Sequence, residues 1–129
     1  MALTEYYPAI VERAADGYSV FFPDLPGCVS AGATVQDAAR NAEEALSAHL
    51  RLSAEHNDPI PDASDIEAIE VDDDVEEVAR LLVRGERPGK AVKISITLDE
   101  GLIAAIDRVA RNRSGFLADA ARAALASRG

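Results

Sequence analysis

The strongest pattern of hydrophobic and polar positions lies near the C-terminal end of the sequence. Over positions 92–98, apolar and polar residues alternate strictly: Val92, Ile94, Ile96 and Leu98 against Lys93, Ser95 and Thr97. A period of two predicts a strand with one apolar and one polar face. From Asp99, a predicted N-cap, the apolar spacing becomes helical, and Asn112 begins a second helix. Residues 91–129 are therefore predicted to fold as strand, helix, helix.

This unit is too small to be stable alone, because residues 91–129 cannot bury enough apolar surface without a disulfide, a metal or a partner. Its strand also has no neighbour within the unit, and an unpaired edge is unfavourable. We therefore predict that two copies pair their strands as an antiparallel ribbon. The predicted dimerisation residues are the apolar strand positions and three helical positions: Val92, Ile94, Ile96, Leu98, Ile106, Phe116 and Leu117.

The polar face of such a ribbon would be exposed on the dimer. A two-stranded ribbon fits the major groove of B-DNA, where Lys, Ser and Thr can hydrogen-bond to base edges. Residues 92–100 and 112–117 resemble ribbon-helix-helix domains of the Arc/MetJ type. The resemblance implies two sets of DNA-binding residues, which are base readers on the strand (Lys93, Ser95, Thr97) and a phosphate clamp at the second helix start (Asn112, Arg113, Ser114). The alternative is a strand that only dimerises.

The N-terminal half shows shorter alternating runs separated by turn residues. Asp16-Gly17 is a strong hairpin signal, and Thr34 followed by Asp37 predicts a helix N-cap. Pro8 cannot donate a ladder hydrogen bond, which predicts a sheet edge or a bulge at that position. The predicted elements are strands at 6–13, 18–22 and 28–31 and a helix from Val35 that ends before Asn57.

Two further patterns lie between this helix and the C-terminal unit. Residues 66–71 alternate and predict a strand whose two faces are equally mixed. Apolar residues from Val75 to Leu82 follow three aspartates with helical spacing, and they predict a short helix that ends at Gly85. The predicted domains are an N-terminal domain at 1–71, a connecting helix and linker at 72–90, and the strand-helix-helix domain at 91–129.

Charge is distributed unevenly along the chain. The net charge is −10, with 13 Lys and Arg against 23 Asp and Glu. Residues 86–129 carry a net +3, whereas residues 1–85 carry a net −13. Such a split predicts two modules with different partners, phosphates for the C-terminal half and a basic surface for the N-terminal half. An acidic surface kept only for solubility is the alternative reading of the N-terminal half.

Three segments of the N-terminal half resemble the HicB antitoxin family: residues 18–28, which end in Leu-Pro-Gly-Cys, then Gly32-Ala33-Thr34, and residues 38–46. The resemblance implies an α+β chain with a partial RNase H-like β-β-β-α-β domain that binds toxin. It also implies an antitoxin that neutralises an mRNA-cleaving HicA toxin and represses its own operon through the ribbon-helix-helix domain. A homodimer or a tetramer of paired dimers is expected. The alternative is a stand-alone ribbon-helix-helix transcriptional regulator without a toxin partner.

Catalytic and metal chemistry is not predicted. Two-metal nucleases need several carboxylates that converge from separate elements. In this chain Asp16 and Asp24 fall in predicted turns, and the aspartates at 72–74 are consecutive, so their side chains diverge. His49 and His56 have no third candidate ligand nearby in the pattern. We expect no enzymatic activity, no cofactor and no bound metal.

The cysteine content and the hydropathy of the chain bound its location. The single Cys28 excludes an intramolecular disulfide and is predicted to be a small core residue. No apolar run approaches the length of a membrane span, and residues 1–11 lack the basic and apolar regions of a signal peptide. The sequence therefore predicts a cytoplasmic protein that does not contact a membrane.

Overall fold

The computed structural model describes residues 2–129, which divide into two compact units on either side of the Lys90–Ala91 bond. The first unit contains four strands and one helix: β1 (Ala2–Ala14), β2 (Gly17–Phe21), β3 (Val29–Gly32), α1 (Val35–Glu55) and β4 (Glu77–Pro88). The second unit contains two helices, α2 (Glu100–Val109) and α3 (Arg113–Arg128). The described chain is α+β, and its first unit has the predicted β-β-β-α-β order, but its last strand is β4 and not the strand predicted at residues 66–71.

The sheet of the first unit is antiparallel and has the strand order β3-β2-β1-β4. β1 pairs with β4 along nearly its whole length, but β2 pairs only with its last five residues, from Ile10 onward. The first half of β1 therefore has a partner on one side only. Pro8 lies in this half, opposite Leu82, where a residue without an N–H is tolerated because only one ladder must form.

The core lies between α1 and one face of the sheet. β1 residues alternate between the two faces, so Tyr7, Ala9 and Val11 point toward α1 and are fully buried. Val20 and Val83 occupy the same face because they pair with Val11 and Tyr7. From α1, four residues at helical spacing complete the core: Ala38, Ala42, Leu46 and Leu50.

The start and end of α1 agree with the sequence prediction. The Thr34 hydroxyl oxygen accepts a hydrogen bond from the Asp37 backbone N–H at 3.1 Å, as expected of an N-cap. The helix ends at Glu55, and Asn57 takes a positive φ of 55° before Pro59. The β1–β2 turn at Asp16-Gly17 is also confirmed, with Gly17 at a φ of 139° that other residues rarely adopt.

Two predictions between α1 and the second unit are wrong. Residues 66–71 form no strand and instead contain a single 3-10 turn at Ile66–Ala68. The helix predicted from Asp72 to Gly85 is replaced by β4, which belongs to the same compact unit as β1. The adjacent apolar pairs Val78-Ala79 and Leu81-Leu82 fit both a helical and an alternating period, and pairing with β1 decides between them.

Gly85 was predicted to end that helix, but it has a different role in the structure. It lies within β4, and a Cβ at this position would come within 2.8 Å of the Leu46 and Leu50 side chains of α1. The absence of a side chain therefore allows α1 to pack closely on β4.

The strand predicted at residues 92–98 is not formed within the single chain, whereas the two helices after it are present as predicted. Residues 91–99 contain neither helix nor paired strand. A strand requires a hydrogen-bonded neighbour, and the predicted neighbour is a second copy. The ribbon therefore stays a prediction.

Candidate functional site

The predicted ribbon segment leaves its apolar side chains uncovered in the single chain. Val92 is 78% exposed, Ile94 73% and Ile96 57%, and only Leu98 is half-buried. Three large apolar side chains at alternate positions rarely stay exposed to water, because burying each of them lowers the free energy of the protein. The segment therefore has the character of a surface that another chain covers.

The predicted base readers Lys93, Ser95 and Thr97 lie between these apolar residues and are also exposed. None of the three side chains makes a hydrogen bond or an ion pair with another described residue. Their donors are therefore available to an external ligand. Whether they share one face of a ribbon depends on the predicted pairing.

The predicted phosphate clamp lies at the start of α3. The Asn112 side-chain oxygen accepts a hydrogen bond from the Gly115 N–H at 3.1 Å and so caps the helix. The Arg113 guanidinium donates to both oxygens of Asp107 in α2, at 2.9 and 2.8 Å. These hydrogen bonds lower the pKa of Asp107 and raise that of Arg113. Ser114 is exposed beside them.

Asn112 and Arg113 thus already have structural partners. Asn112 stabilises the helix start, and Arg113 ties α3 to α2, so its charge is partly neutralised by Asp107. For phosphate binding, this leaves the backbone N–H groups at the start of α3 and the Ser114 hydroxyl as the better placed donors.

The remaining predicted dimerisation residues lie on the two helices. Ile106 is the one residue of α2 and α3 that is fully buried, while Leu117 is half-buried and Phe116 is 38% exposed. A unit with so few buried side chains lacks the core that a stable domain of its size requires. This shortage favours a partner for the second unit.

The first unit presents a different kind of surface on the sheet face opposite α1, which we call the outer face. Pro8 and Ile10 of β1 lie on this face and yet are buried. Residues 56–76 join α1 to β4, and we call them the connector; their later part lies against this face beside Ile10. Ile69 and Val75 of the connector line a cavity of about 190 Å³ beside Ile10.

Arg80 of β4 fixes the connector on the outer face. Its Nη1 donates to the carbonyl oxygens of Ile66 and Ile69 at 3.2 and 2.6 Å. Its Nε donates to Glu77 at 2.8 Å, which raises the pKa of the guanidinium. Arg80 therefore satisfies the Ile69 carbonyl and is a second donor to the Ile66 carbonyl, which also accepts the Ile69 N–H.

Three acidic or phenolic side chains hold the first part of the connector. Asp24 accepts hydrogen bonds from the N–H and hydroxyl of Ser64 at 2.8 and 2.6 Å. Glu5 accepts from the Ala63 N–H at 3.0 Å. The Tyr7 hydroxyl donates to the Pro61 carbonyl at 2.8 Å. Asp24, which lies in a turn as predicted, thus has a structural role.

Arg87 joins β4 to β1 and the connector. Its Nη2 donates to Glu5 at 2.9 Å and to Asp62 at 2.7 Å, while its buried Nε has no partner among the described residues. The hydrogen bond from Arg87 holds the pKa of Glu5 below its ordinary value. Burial raises the pKa of Tyr7 above its ordinary value.

A cleft of about 580 Å³ opens between the connector and the outer face. Tyr6 and Leu82 lie in its floor and are 54% and 53% exposed. Asp65 and Glu67 lie on its rim. This cleft was not predicted from the sequence, although the connector carries one signal of it, nine acidic residues with no lysine or arginine.

The histidines and the cysteine considered for metal or nucleophilic chemistry do not line this cleft. Residues 2–129 contain no group of three or more His, Cys, Asp or Glu side chains that could hold a metal ion. His49 is half-buried and His56 is exposed. Cys28 is buried in the core, as predicted, and burial raises the pKa of its thiol to about 11. No helix in the described part of the chain is both long and apolar enough to span a membrane.

The fold and these surfaces define a small two-unit α+β protein whose notable features are exposed faces rather than an enclosed pocket. The chain matches the family model described as HicB-like antitoxin of bacterial toxin-antitoxin systems over residues 7–121. It therefore belongs to the HicB-like antitoxin family.

Relatives and solved structures agree with this assignment. A 14.9 kDa protein from the rep-hol intergenic region of Haemophilus phage HP1 is 36% identical over 124 residues, which is 89% of this chain and 93% of the phage protein. The N-terminal domain of the Burkholderia pseudomallei antitoxin HicB matches with a TM-score of 0.52 and 26% identity, covering 69% of this chain and 99% of that domain. A chain of the HicA3 and HicB3 toxin–antitoxin complex matches with a TM-score of 0.51 and 28% identity, covering 65% and 99%.

Proposed function

We propose that this protein is the antitoxin of a HicAB-type pair, that its first unit binds and neutralises a HicA-like ribonuclease toxin, and that its second unit dimerises and represses the operon. Membership of the HicB-like family carries the proposal. The similarity to a chain from a toxin–antitoxin complex supports a toxin as the partner. Both activities place the protein in the cytoplasm, where mRNA and operator DNA are found.

The charge of the first unit supports a basic partner. Residues up to Lys90 hold 19 acidic and 7 basic side chains, a net of −12, whereas residues 91–129 carry a net +2. A ribonuclease toxin must present cations to RNA phosphates. Opposite charges speed the encounter of such a toxin with the first unit and favour one orientation. An antitoxin that covers this basic surface excludes RNA from it, so no catalytic group of its own is required.

The uncovered apolar segment supports dimerisation of the second unit. Pairing of two copies would cover Val92, Ile94 and Ile96 and would satisfy the unpaired backbone of residues 91–99. The polar residues between them would then line the opposite face of the ribbon, where they can reach DNA bases. Two such dimers side by side would give a tetramer on the operator.

The experiment that tests the antitoxin proposal uses the full chain and the small basic protein encoded beside it. We expect the two to copurify when coexpressed, and we expect cleavage of mRNA by the toxin to stop when the antitoxin is added at equal concentration. Failure to bind, or undiminished RNA cleavage in the presence of excess antitoxin, would contradict the proposal. Sequence-specific DNA binding without toxin binding would instead favour the stand-alone regulator.

A further inference from the structure

The connector places unpaired negative charge on the outer face of the sheet. It contains nine Asp and Glu residues and no Lys or Arg, and the nearest cations along the chain are Arg51 and Arg80. Asp62 pairs with Arg87 and Glu76 with Arg13. Asp65 and Glu67, on the rim of the 580 Å³ cleft, form no ion pair with any described residue. Their charges are therefore available to a partner.

The floor of the same cleft is apolar and exposed. Tyr6 of β1 and Leu82 of β4 both lie on the outer face of the sheet. Leu82 pairs across the two strands with Pro8, two residues after Tyr6, so the two side chains are diagonal neighbours. Each side chain is more than half exposed. Arg84, which lies opposite Tyr6 on β4, is 3.7 Å from Glu86, which offsets its charge. An apolar floor with an acidic rim is typical of a protein-binding surface, where aromatic and aliphatic side chains provide the anchors.

The cleft is formed before any partner binds. Arg80 holds the connector to β4 on one side, and Asp24 holds Ser64 on the other. The side chains on the rim and the floor therefore need little ordering upon association. A preorganised surface binds more tightly than a mobile one with the same contacts, because less entropy is lost.

We infer that this cleft is the surface with which the first unit binds its toxin. The inference rests on the proposed antitoxin function and names the part of the molecule that performs it. The cleft fits a basic protein surface that presents a Lys or Arg beside an apolar side chain: the cation meets Asp65 and Glu67, and the apolar group meets Tyr6 and Leu82. The same toxin cations cannot then bind RNA phosphates.

The floor is tested by alanine substitution in the full-length protein, with the catalytically inactive form of the toxin encoded beside it as the probe. We expect Tyr6→Ala and Leu82→Ala each to raise the Kd for the toxin at least about tenfold. The matched control is Val29→Ala, an apolar residue of β3 that is 64% exposed and lies outside the cleft. It should leave the Kd unchanged.

The rim is tested by two double variants with the same change of charge. Asp65→Lys/Glu67→Lys alters the cleft, whereas Asp73→Lys/Asp74→Lys alters two exposed residues elsewhere in the connector. Both should slow association, since both reduce the long-range attraction. Only the cleft variant should raise the dissociation rate, by at least about tenfold, because only it removes direct contacts.

The results separate failure of this inference from failure of the proposed function. If the wild-type protein does not bind the toxin, the function itself is contradicted. If it binds, and the three cleft variants bind no more weakly than their controls, the inference is overturned and the antitoxin function stands. Leu82→Ala could instead lower the solution mass of the protein in the absence of toxin and leave the Kd for the toxin unchanged. The cleft would then be a contact between copies of this chain, which also overturns the inference. The rim variants lie outside the core, so they remain informative if Tyr6→Ala or Leu82→Ala destabilises the fold.

Discussion

Arg87 is the one charged residue that is buried among the described residues, and its charge is paired by two carboxylates. Glu5 lies on the adjacent strand and Asp62 on the connector, so one guanidinium joins three segments of the first unit. A buried cation is costly unless it is paired. Because the Asp62 side chain is 80% exposed and that of Glu5 is only 19% exposed, Glu5 is the less screened partner.

Glu5→Gln should therefore lower the free energy of unfolding by about 1–3 kcal/mol at pH 7, since a hydrogen bond to a charged group contributes about that much. The pKa of Glu5 is lowered in the folded state, so its contribution is complete above its ordinary value of 4.5 and is lost as the pH falls through the folded pKa. Urea denaturation of variant and wild type across this range measures the effect. The exposed Glu43→Gln variant is the control, and a difference that grows below pH 4.5 would contradict the prediction.

The predicted base readers give a second prediction at the scale of single residues. Lys93→Ala and Thr97→Ala should each weaken binding to the DNA upstream of the coding sequence by about 1–3 kcal/mol, with little effect on random DNA, because base contacts discriminate sequences. Lys90→Ala, an exposed lysine just before the segment, is the control and should affect both DNAs equally. Fluorescence anisotropy measures both affinities. Equal losses for Lys93 and Thr97 on the two DNAs would show that they contact only the backbone.

At the scale of elements, the parts of the fold that depend only on residues close in sequence, such as caps, turns and helix ends, were predicted correctly. The Thr34 cap, the Asp16-Gly17 turn and the end of α1 each depend on neighbouring residues, and each was predicted from the sequence. β4 was not, because its alternation is obscured by adjacent apolar pairs and only its pairing with β1 selects a strand. The 3-10 turn at Ile66–Ala68 was missed for a related reason, since Arg80 from β4 bonds the carbonyls of Ile66 and of Ile69, the residue after the turn.

The candidate functional residues also divide into those that a local sequence pattern can predict and those that only the folded chain brings together. The predicted base readers could be proposed from the sequence because a strict alternation assigns each strand residue to a face without knowledge of the fold. The cleft could not, because it combines Tyr6 from β1, Leu82 from β4 and the connector. Their proximity arises only when the sheet forms and the connector crosses its outer face. An acidic run by itself indicates a solvated segment as readily as a binding surface.

The predicted ribbon leads to a prediction about an element as a whole. Ile94→Glu would place a carboxylate from each chain in the apolar interior of the ribbon, where charge is strongly unfavourable. We expect the solution mass to fall toward that of one chain and the helical signal of the second unit to decrease, as measured by light scattering and circular dichroism. Ser95→Glu is the matched control on the opposite face: it should keep the dimer and lose DNA affinity. Dissociation by Ser95→Glu alone would show that the faces are reversed.

At the scale of the whole molecule, the two units are separable in sequence. Lys90 and Lys93 lie in an exposed stretch without paired secondary structure, whereas the connector has no site for trypsin. The structure of the N-terminal domain of the Burkholderia pseudomallei antitoxin HicB, with which this chain shares 26% identity, is of that domain alone.

Limited trypsin digestion of the full chain should therefore cut early after Lys90 or Lys93, because proteases prefer exposed segments without regular structure. The N-terminal fragment should bind the toxin with unchanged affinity and should no longer bind operator DNA. Mass spectrometry identifies the fragment, and calorimetry measures both affinities. Added operator DNA should slow the cut after Lys93. A fragment that has lost its toxin affinity would show that the second unit contributes to toxin binding.

The solvent-exposed side chains of Ile94 and Ile96 have a consequence for regulation that follows from mass action. If a second copy must cover them, the amount of the assembled DNA-binding form rises with the square of the chain concentration when the protein is scarce. Repression then fades faster than the antitoxin itself disappears once synthesis stops. Transcription would resume while enough single chains remain to restrain the toxin.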